Sequence, residues 1–294
     1  MTDRGPRLYP TTLDKLDEWR SQSGATSDEA RRRFVQFVVL ESIASADIAR
    51  SLAFKGGNAL RFGYGYPRST VDLDFTAMDL EDDGPALRGI VNRAVILGSE
   101  RFGIKCRVTS VKRRPPNRDR TLPTYIVKVA YVLPGDRYFP EFDDRTNWAA
   151  VLPIEITFND VICETSTVHF GDDGLIGITL CTLNDIVAEK LRAIIQQVIR
   201  NRNRPQDVYD IARSWRVNRT QLDVARIGQY LRQKCLARGI QPDISLFGPE
   251  ARTRAAYGYG ELESDLEEDF IAFEEAWDDV VTLAKRALDA SEDA

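Results

Sequence analysis

Asp72 and Asp74 are two aspartates separated by one residue, and their type and spacing make them the best candidates in this sequence for a catalytic role. They lie in the alternating run Val71-Asp72-Leu73-Asp74-Phe75, which is typical of a half-buried β-strand. Residues i and i+2 of a strand project from the same face, so both carboxylates are predicted to point at one spot. Hard divalent cations take oxygen ligands, often one or two carboxylates together with substrate phosphates. The pair therefore predicts a site for Mg²⁺ or Mn²⁺.

Gly56, Gly57 and Asn58 form a second motif shortly before the aspartates. They are predicted to lie where a short strand over 51–54 is followed by a helix over 58–64. A Gly-Gly turn that opens a helix lets backbone N–H groups approach a phosphate at the positive end of the helix dipole. Each motif alone is common, but their order and spacing together suit a metal-bound nucleoside triphosphate. The three residues are therefore candidates for nucleotide binding.

Glu155 is the candidate for a third carboxylate of the same site. It lies in the apolar run 151–158, where alternation leaves Glu155 and Thr157 on the face opposite Ile154 and Ile156. A third ligand would complete the metal site, and Glu155 could then also take the proton from an attacking hydroxyl. A solvent-facing glutamate on a half-exposed strand explains the pattern nearly as well. The sequence leaves both interpretations open.

Lys190 lies on the apolar stripe of a predicted helix that begins at the capping-box motif of residues 182–185. Burying a lysine is costly unless it is paired, so Lys190 is predicted to point into a cavity or to meet an acid. Asp207 and Asp210 share one face of the next helix, and either could be that acid. A lysine that binds nucleotide phosphates and a helix–helix salt bridge are equally consistent with the pattern.

Charge is distributed unevenly along the 294 residues, whose net charge is −5. Residues 261–294 contain thirteen acidic residues and two basic ones, so the rest of the chain carries a net charge of +6. The basic residues concentrate in the stretches 101–120 and 189–204. A basic surface is compatible with a polyanionic partner. On charge alone, a solvated loop and a solvated helix face are the simpler interpretation.

Composition disfavours several classes of protein. The four cysteines lie far apart with no CxxC pair, which argues against a disulfide framework and a thiolate zinc site. The single histidine, His169, is predicted to be a structural or surface residue near a strand end, so histidine-dependent hydrolysis is not expected. No apolar run is long enough to span a bilayer, and no secretory signal is visible. A cytoplasmic enzyme with no membrane partner is expected.

The pattern of predicted helices and strands around these motifs indicates an α+β protein. Helical spacing covers 11–22 and 27–48, strands alternate with helices up to about residue 178, and the pattern beyond is helical. The strand over 151–158 is predicted to pair with 161–170. The predicted domains are N-terminal helices over 1–48, a core with a mixed sheet over 49–177, and a helical C-terminal domain over 178–294.

Four sequence elements between about residue 50 and residue 215 carry a family resemblance. They are Gly56-Gly57-Asn58-Ala59-Leu60 with Arg68 and Asp72-Leu73-Asp74-Phe75, the strand glutamate Glu155, Glu189-Lys190-Leu191-Arg192-Ala193, and Asp207-Val208-Tyr209-Asp210-Ile211. In these elements the chain resembles the AbiEii/AbiGii family of nucleotidyltransferase toxins, including the mycobacterial toxins of that type. The set is far more specific than any single member.

The resemblance implies a polymerase-β-like nucleotidyltransferase core with a mixed sheet, followed by a helical C-terminal domain. It also implies transfer of a nucleotide from a triphosphate to RNA, commonly the 3′ end of tRNA, which blocks translation, and an antitoxin encoded alongside. Carried over by position, Asp72 and Asp74 bind the metal, Lys190 contacts the triphosphate and Asp210 is essential for catalysis. Asn58 departs from the small hydroxyl residue that is usual in the first element.

If the chain has this activity, several arginines are candidates for binding phosphates of the nucleotide or of RNA. Arg68 or Arg192 would help Lys190 to stabilise the leaving phosphates, although Arg68 could equally be a structural partner of Asp72. The basic stretches supply candidates for contacts with the RNA backbone, namely Arg113, Arg114, Arg118, Arg120, Arg200 and Arg202. Two other functions stay open, namely transfer to a protein or small-molecule acceptor and a catalytically inactive module that binds nucleotide or RNA.

Overall fold

The computed structural model describes residues 9–68, 70–116, 122–144, 149–170, 174 and 176–291. Helices and strands alternate in the first part of the chain, and the second part is helical. The helices in the described ranges are α1 Leu16–Ser23, α2 Ser27–Ala44, α3 Gly56–Tyr64, α4 Gly84–Arg101, α5 Leu183–Arg200, α6 Pro205–Val217, α7 Val224–Leu236, α8 Pro249–Ala256, α9 Glu263–Leu266 and α10 Phe273–Ala290. The strands are β1 Leu52–Lys55, β2 Leu73–Ala77, β3 Lys105–Arg114, β4 Thr124–Val132, β5 Ala150–Thr157, β6 Thr165–Phe170 and β7 Ile176–Cys181.

The seven strands form one mixed sheet in the order β3-β4-β5-β2-β1-β7-β6. β2 pairs with β5 in parallel, and β1 pairs with β7 in parallel. The pairs β1–β2, β3–β4 and β4–β5 are antiparallel. The predicted α+β class with a mixed sheet is therefore confirmed.

The central strands follow the period-2 pattern that burial of one sheet face imposes. Leu73 and Phe75 of β2 are fully buried, while Asp74 between them is partly exposed. Ile154 and Ile156 of the neighbouring strand β5 are fully buried in the same way. Successive residues of a strand point to opposite faces, so the apolar residues fill the core and the other face is left for polar side chains.

The predicted pairing of 151–158 with 161–170 is wrong. β5 pairs with β4 on one side and with β2 on the other, so both of its hydrogen-bonding edges are occupied. β6 lies at the opposite edge of the sheet, next to β7. Adjacent strands in sequence often form hairpins, and that general tendency produced the wrong prediction here.

Two boundaries also differ from those expected. Strand β2 begins at Leu73, so Asp72 lies just before the strand and not within it. The strand Ile176–Cys181 was not predicted, because the helical pattern was expected to begin at about residue 178. Short strands of this kind give only a few alternations, which makes their ends hard to recognise from sequence.

The chain divides into two compact units. The sheet unit comprises Met1–Gly65, Ser69–Asp160 and Ser166–Leu180. The helical unit comprises Cys181–Ala294 together with two short segments from earlier in the chain, Tyr66–Arg68 and Val161–Thr165.

Within the helical unit, α5 begins at the predicted capping box, since the Thr182 hydroxyl accepts a hydrogen bond from the Asp185 backbone N–H at 3.3 Å. α5 packs against α6, α7 and α8, and α10 packs against α6 and α7. Among the residues described, no helix combines the length and apolar character needed to cross a bilayer.

Candidate active site

Three carboxylates meet at one end of strand β2 in the sheet unit. Asp74 of β2 and Glu155 of β5 are direct neighbours in the parallel register, and Asp72 immediately precedes β2. One carboxylate oxygen from each residue lies within 4.8 Å of those of the other two, and all three residues are partly exposed. An oxygen-only set of this size matches the ligand preference of Mg²⁺ and Mn²⁺. The donor chemistry therefore fits the cation predicted from the sequence.

Glu155 is the member of this cluster that the sequence left undecided. Its strand neighbours explain its position, because pairing of β2 with β5 puts Glu155 opposite Asp74. Side chains of directly paired residues lie on the same face of a sheet. The structure thus brings Glu155 to the two aspartates, and its predicted role as a metal ligand is geometrically possible.

Gly56 approaches the carboxylate cluster more closely than any other residue type could. Its backbone has φ +78°, a left-handed conformation that disfavours L side chains. A Cβ atom built on Gly56 would lie 2.2 Å from Asp74 Oδ2, which is far inside van der Waals contact. Whether or not Gly56 also contacts a phosphate, a glycine is needed at this position because any side chain would displace the Asp74 carboxylate.

Replacing Gly56 with alanine is expected to lower activity strongly, because the new methyl group displaces the Asp74 carboxylate. Gly65→Ala is a matched control, since Gly65 has φ +72° but no atom within 4 Å of the added Cβ. Each substitution carries a backbone strain of about 1–3 kcal/mol, measurable by thermal unfolding. Activity should fall at least tenfold further in Gly56→Ala than in Gly65→Ala. Equal activities in the two variants would contradict this interpretation.

Asn58 does not present its side chain to a ligand. The side chain is fully buried, and its amide Nδ2 donates to the backbone oxygens of Thr70, at 3.1 Å, and Asp72. Direct nucleotide binding by the Asn58 side chain is therefore not supported, and only its backbone remains available for that role. The departure of Asn58 from the family pattern has a structural explanation, because an amide can donate two hydrogen bonds to the segment that carries Asp72.

A second cluster of charges is buried in the helical unit. Lys190 Nζ lies 2.7 Å from Asp207 Oδ1 and 2.8 Å from Asp210 Oδ2, so both candidate acids are its partners. Arg68 adds two hydrogen bonds to the Asp210 carboxylate, at 3.1 and 2.7 Å. The carboxylate that pairs with Arg68 is thus Asp210 and not Asp72. We refer to Arg68, Lys190, Asp207 and Asp210 as the ion cluster.

Electrostatics within the ion cluster favour the charged forms of Arg68, Lys190 and Asp210. Burial raises the pKa of Asp210, but Arg68 and Lys190 outweigh burial and lower the pKa to about 2. Burial lowers the pKa of Lys190, yet Asp207 and Asp210 raise it overall. Lys190 and Asp210 are therefore charged at neutral pH, and each of these buried charges depends on its partners.

The predicted contacts of Lys190, Arg68 and Arg192 with a triphosphate stay predictions. Arg192 is buried and binds both oxygens of Glu189, at 3.0 and 2.6 Å, and it also donates to Gln196. All three cations therefore have protein partners in the structure.

The basic residues predicted to bind RNA have different surroundings. Arg113 lies 3.1 Å from Asp82 in a salt bridge, whereas Arg114 is exposed. Arg200 and Arg202 are exposed, and burial together with neighbouring arginines lowers the pKa of Arg200. Arg118 and Arg120 lie outside the described residues.

His169 is exposed on β6, as expected of a surface histidine.

Sequence analysis missed the residues that hold the segment preceding β2. Arg33 and Gln36 of α2 are buried and donate hydrogen bonds to the backbone oxygens of Thr70 and Val71. Their helix was predicted, but two polar residues with buried neighbours gave the only signal that their side chains had partners inside the protein.

Two solved structures are similar to this chain in fold. No curated protein matches the chain. A Helicobacter pylori protein described as a candidate nucleotidyltransferase shares the fold with a TM-score of 0.51 at 15% identity, over 92% of this chain and 98% of its own. JHP933 from Helicobacter pylori does so with a TM-score of 0.50 at 16% identity, over 91% of this chain and 95% of its own. At these identities the similarities show that the chains share an overall fold.

The family described as "Nucleotidyl transferase AbiEii toxin, Type IV TA system" matches residues 38–283. That range includes the carboxylates of the sheet unit and the ion cluster of the helical unit. Because the match spans most of the sequence, the chain belongs to the AbiEii nucleotidyl transferase toxin family of type IV toxin–antitoxin systems.

Proposed function

We propose that the protein transfers a nucleoside monophosphate from a nucleoside triphosphate to RNA, with the 3′ end of tRNA as the acceptor. The observation that carries the proposal is the cluster of Asp72, Asp74 and Glu155, whose oxygens lie within 4.8 Å of one another. The close approach of Gly56 to Asp74 puts a glycine turn directly beside these oxygens. Membership of a nucleotidyl transferase family supports the same class of reaction.

The three carboxylates of this cluster would hold Mg²⁺ or Mn²⁺ in the reaction. A divalent cation at this position supplies stabilisation of the charge that develops on the transferred phosphoryl group. Asp72, Asp74 and Glu155 are assigned to hold the cation, and Glu155 is also assigned to accept the proton of the attacking 3′-hydroxyl. The bond from the 3′-oxygen to the α-phosphorus forms while the bond from the α-phosphorus to the bridging oxygen breaks, so pyrophosphate leaves.

Exposed arginines support RNA as the acceptor. Arg114 in the sheet unit and Arg200 and Arg202 in the helical unit have side chains that solvent reaches. Arginine contacts with phosphates supply most of the affinity of proteins for nucleic acids and make that affinity dependent on salt. Modification of tRNA 3′ ends would block translation, which is consistent with a toxin, and an antitoxin encoded alongside is the expected partner.

The test is incubation of purified protein with total tRNA, Mg²⁺ and each α-labelled nucleoside triphosphate in turn. We expect label from one nucleotide to enter tRNA, and we expect Asp72→Ala to abolish that signal. Label that survives RNase digestion and migrates with protein would show that the acceptor is a protein and not RNA. Absence of label from every acceptor in a cell lysate would favour an inactive binding module instead.

A further inference from the structure

Asp72 differs from the other two carboxylates in how its backbone is held. Asp74 and Glu155 lie within paired strands, so the sheet hydrogen bonds fix their positions. Asp72 and the two residues before it, Thr70 and Val71, lie outside any strand or helix. Outside a strand, their carbonyl oxygens need hydrogen-bond donors other than those that a strand ladder supplies.

Those donors come from three buried side chains. Thr70 O accepts from Arg33 Nη1 at 3.2 Å, from Gln36 Nε2 at 3.0 Å and from Asn58 Nδ2 at 3.1 Å. Gln36 Nε2 also donates to the backbone oxygen of Val71 at 3.1 Å. Asn58 Nδ2 donates in addition to the backbone oxygen of Asp72. Every carbonyl oxygen from residue 70 to residue 72 thus has a side-chain donor.

Arg33 also determines which way the two amides face. Its Nη1 donates to Gln36 Oε1 at 2.7 Å and to Asn58 Oδ1 at 3.4 Å. Arginine can only donate, so each amide must turn its oxygen toward Arg33 and its NH₂ group toward the carbonyls. All three side chains are at most 2% exposed, so water competes little for these hydrogen bonds.

We infer that Arg33, Gln36 and Asn58 are positioning residues, which hold the main chain of residues 70–72 and thereby set the Asp72 carboxylate in the metal site. The inference rests on the metal site of the proposed function. Replacing a residue that orients a metal ligand through hydrogen bonds typically weakens metal binding by about 10–100-fold. The same loss is expected here, although none of the three side chains touches the metal.

The test compares two buried glutamines that each donate to backbone oxygens. Gln36→Met removes the donors to Thr70 and Val71, whereas the control Gln197→Met removes a 2.7 Å hydrogen bond to Ala251 O in the helical unit. Full-length proteins are titrated with Mn²⁺, and free Mn²⁺ is followed by its paramagnetic resonance signal. Thermal unfolding reports the stability of each variant. We expect Gln36→Met to weaken Mn²⁺ binding about tenfold, and Gln197→Met to leave it within twofold of wild type.

Each outcome separates the inference from the proposed function. The positioning role alone would be overturned if Gln36→Met binds Mn²⁺ as tightly as wild type does while Asp72→Asn does not bind it. A wild-type protein without an Mn²⁺ site sensitive to Asp72→Asn would overturn the metal site and the inference together. If Gln36→Met does not fold, Gln36→Glu takes its place, because it keeps the shape and the acceptor for Arg33 but cannot donate to the carbonyls. Gln197→Glu is then its control.

Discussion

Asp74→Asn is expected to lower the rate of nucleotidyl transfer by about a thousandfold while the protein stays folded. The substitution keeps the shape of the side chain but removes one of three charges that converge within 4.8 Å. A catalytic cation contributes several kcal/mol to the stabilisation of developing charge. Loss of about 4 kcal/mol corresponds to about three powers of ten in rate. The measurement is single-turnover transfer of labelled nucleotide to tRNA, with circular dichroism as the check on folding.

Asp79→Asn is the control for this experiment. Asp79 is an exposed aspartate shortly after β2, outside the carboxylate cluster. Its replacement makes the same change of charge in the same unit, so the rate should stay within about twofold of wild type. A rate for Asp74→Asn within tenfold of wild type would show that the cluster does not hold a catalytic cation. Asp72→Asn should behave as Asp74→Asn does, because both aspartates belong to the cluster.

Asp210→Ala is expected to destabilise the protein by about 3–5 kcal/mol, because it leaves two buried cations without their shared carboxylate. Asp210 is 1% exposed and binds Arg68 and Lys190 at 2.7 and 2.8 Å. The loss is measured from urea unfolding curves. Asp278→Ala, at an exposed acid of α10 in the same unit, should change stability by less than about 0.5 kcal/mol.

A double substitution separates this mechanism from simple loss of packing. If uncompensated charge is the cause, adding Arg68→Met to Asp210→Ala should recover part of the lost stability, since Arg68 pairs with Asp210 and that buried cation is then removed together with its carboxylate. Additive losses in the double variant would contradict the electrostatic explanation. Stability is the readout because a partly unfolded helical unit would lower activity for reasons unrelated to chemistry.

The pH dependence of the same comparison gives a second readout. Burial raises the pKa of Asp210, but Arg68 and Lys190 lower it to about 2, which is below the value of about 4 expected in the unfolded chain. A carboxylate with a depressed folded pKa stabilises the folded state above the unfolded pKa and loses that effect as pH falls through the folded pKa. The advantage of wild type over Asp210→Ala in unfolding free energy should therefore be full above pH 5 and shrink from pH 4 toward pH 2.

Local sequence was sufficient for the motifs and for most elements. The alternation around Asp74, the Gly56 turn and the capping box at Thr182 each depend on residues a few positions apart. Periodicity and capping act over one or two turns of helix or a few strand residues, so they can be recognised without knowledge of the rest of the chain. The resemblance that joined these motifs identified the family, and residues 38–283 match it.

Partners distant in sequence were decided only by the tertiary structure. Glu155 joins Asp74 because β5 pairs with β2, whereas the sequence suggested a hairpin with 161–170. Arg68 pairs with Asp210, a residue 142 positions away. Asn58, predicted to bind nucleotide, instead donates to the backbone oxygens of Thr70 and Asp72. A local pattern specifies which face of an element is polar, but which polar group meets another depends on strand order and burial, and these arise from packing of the whole chain.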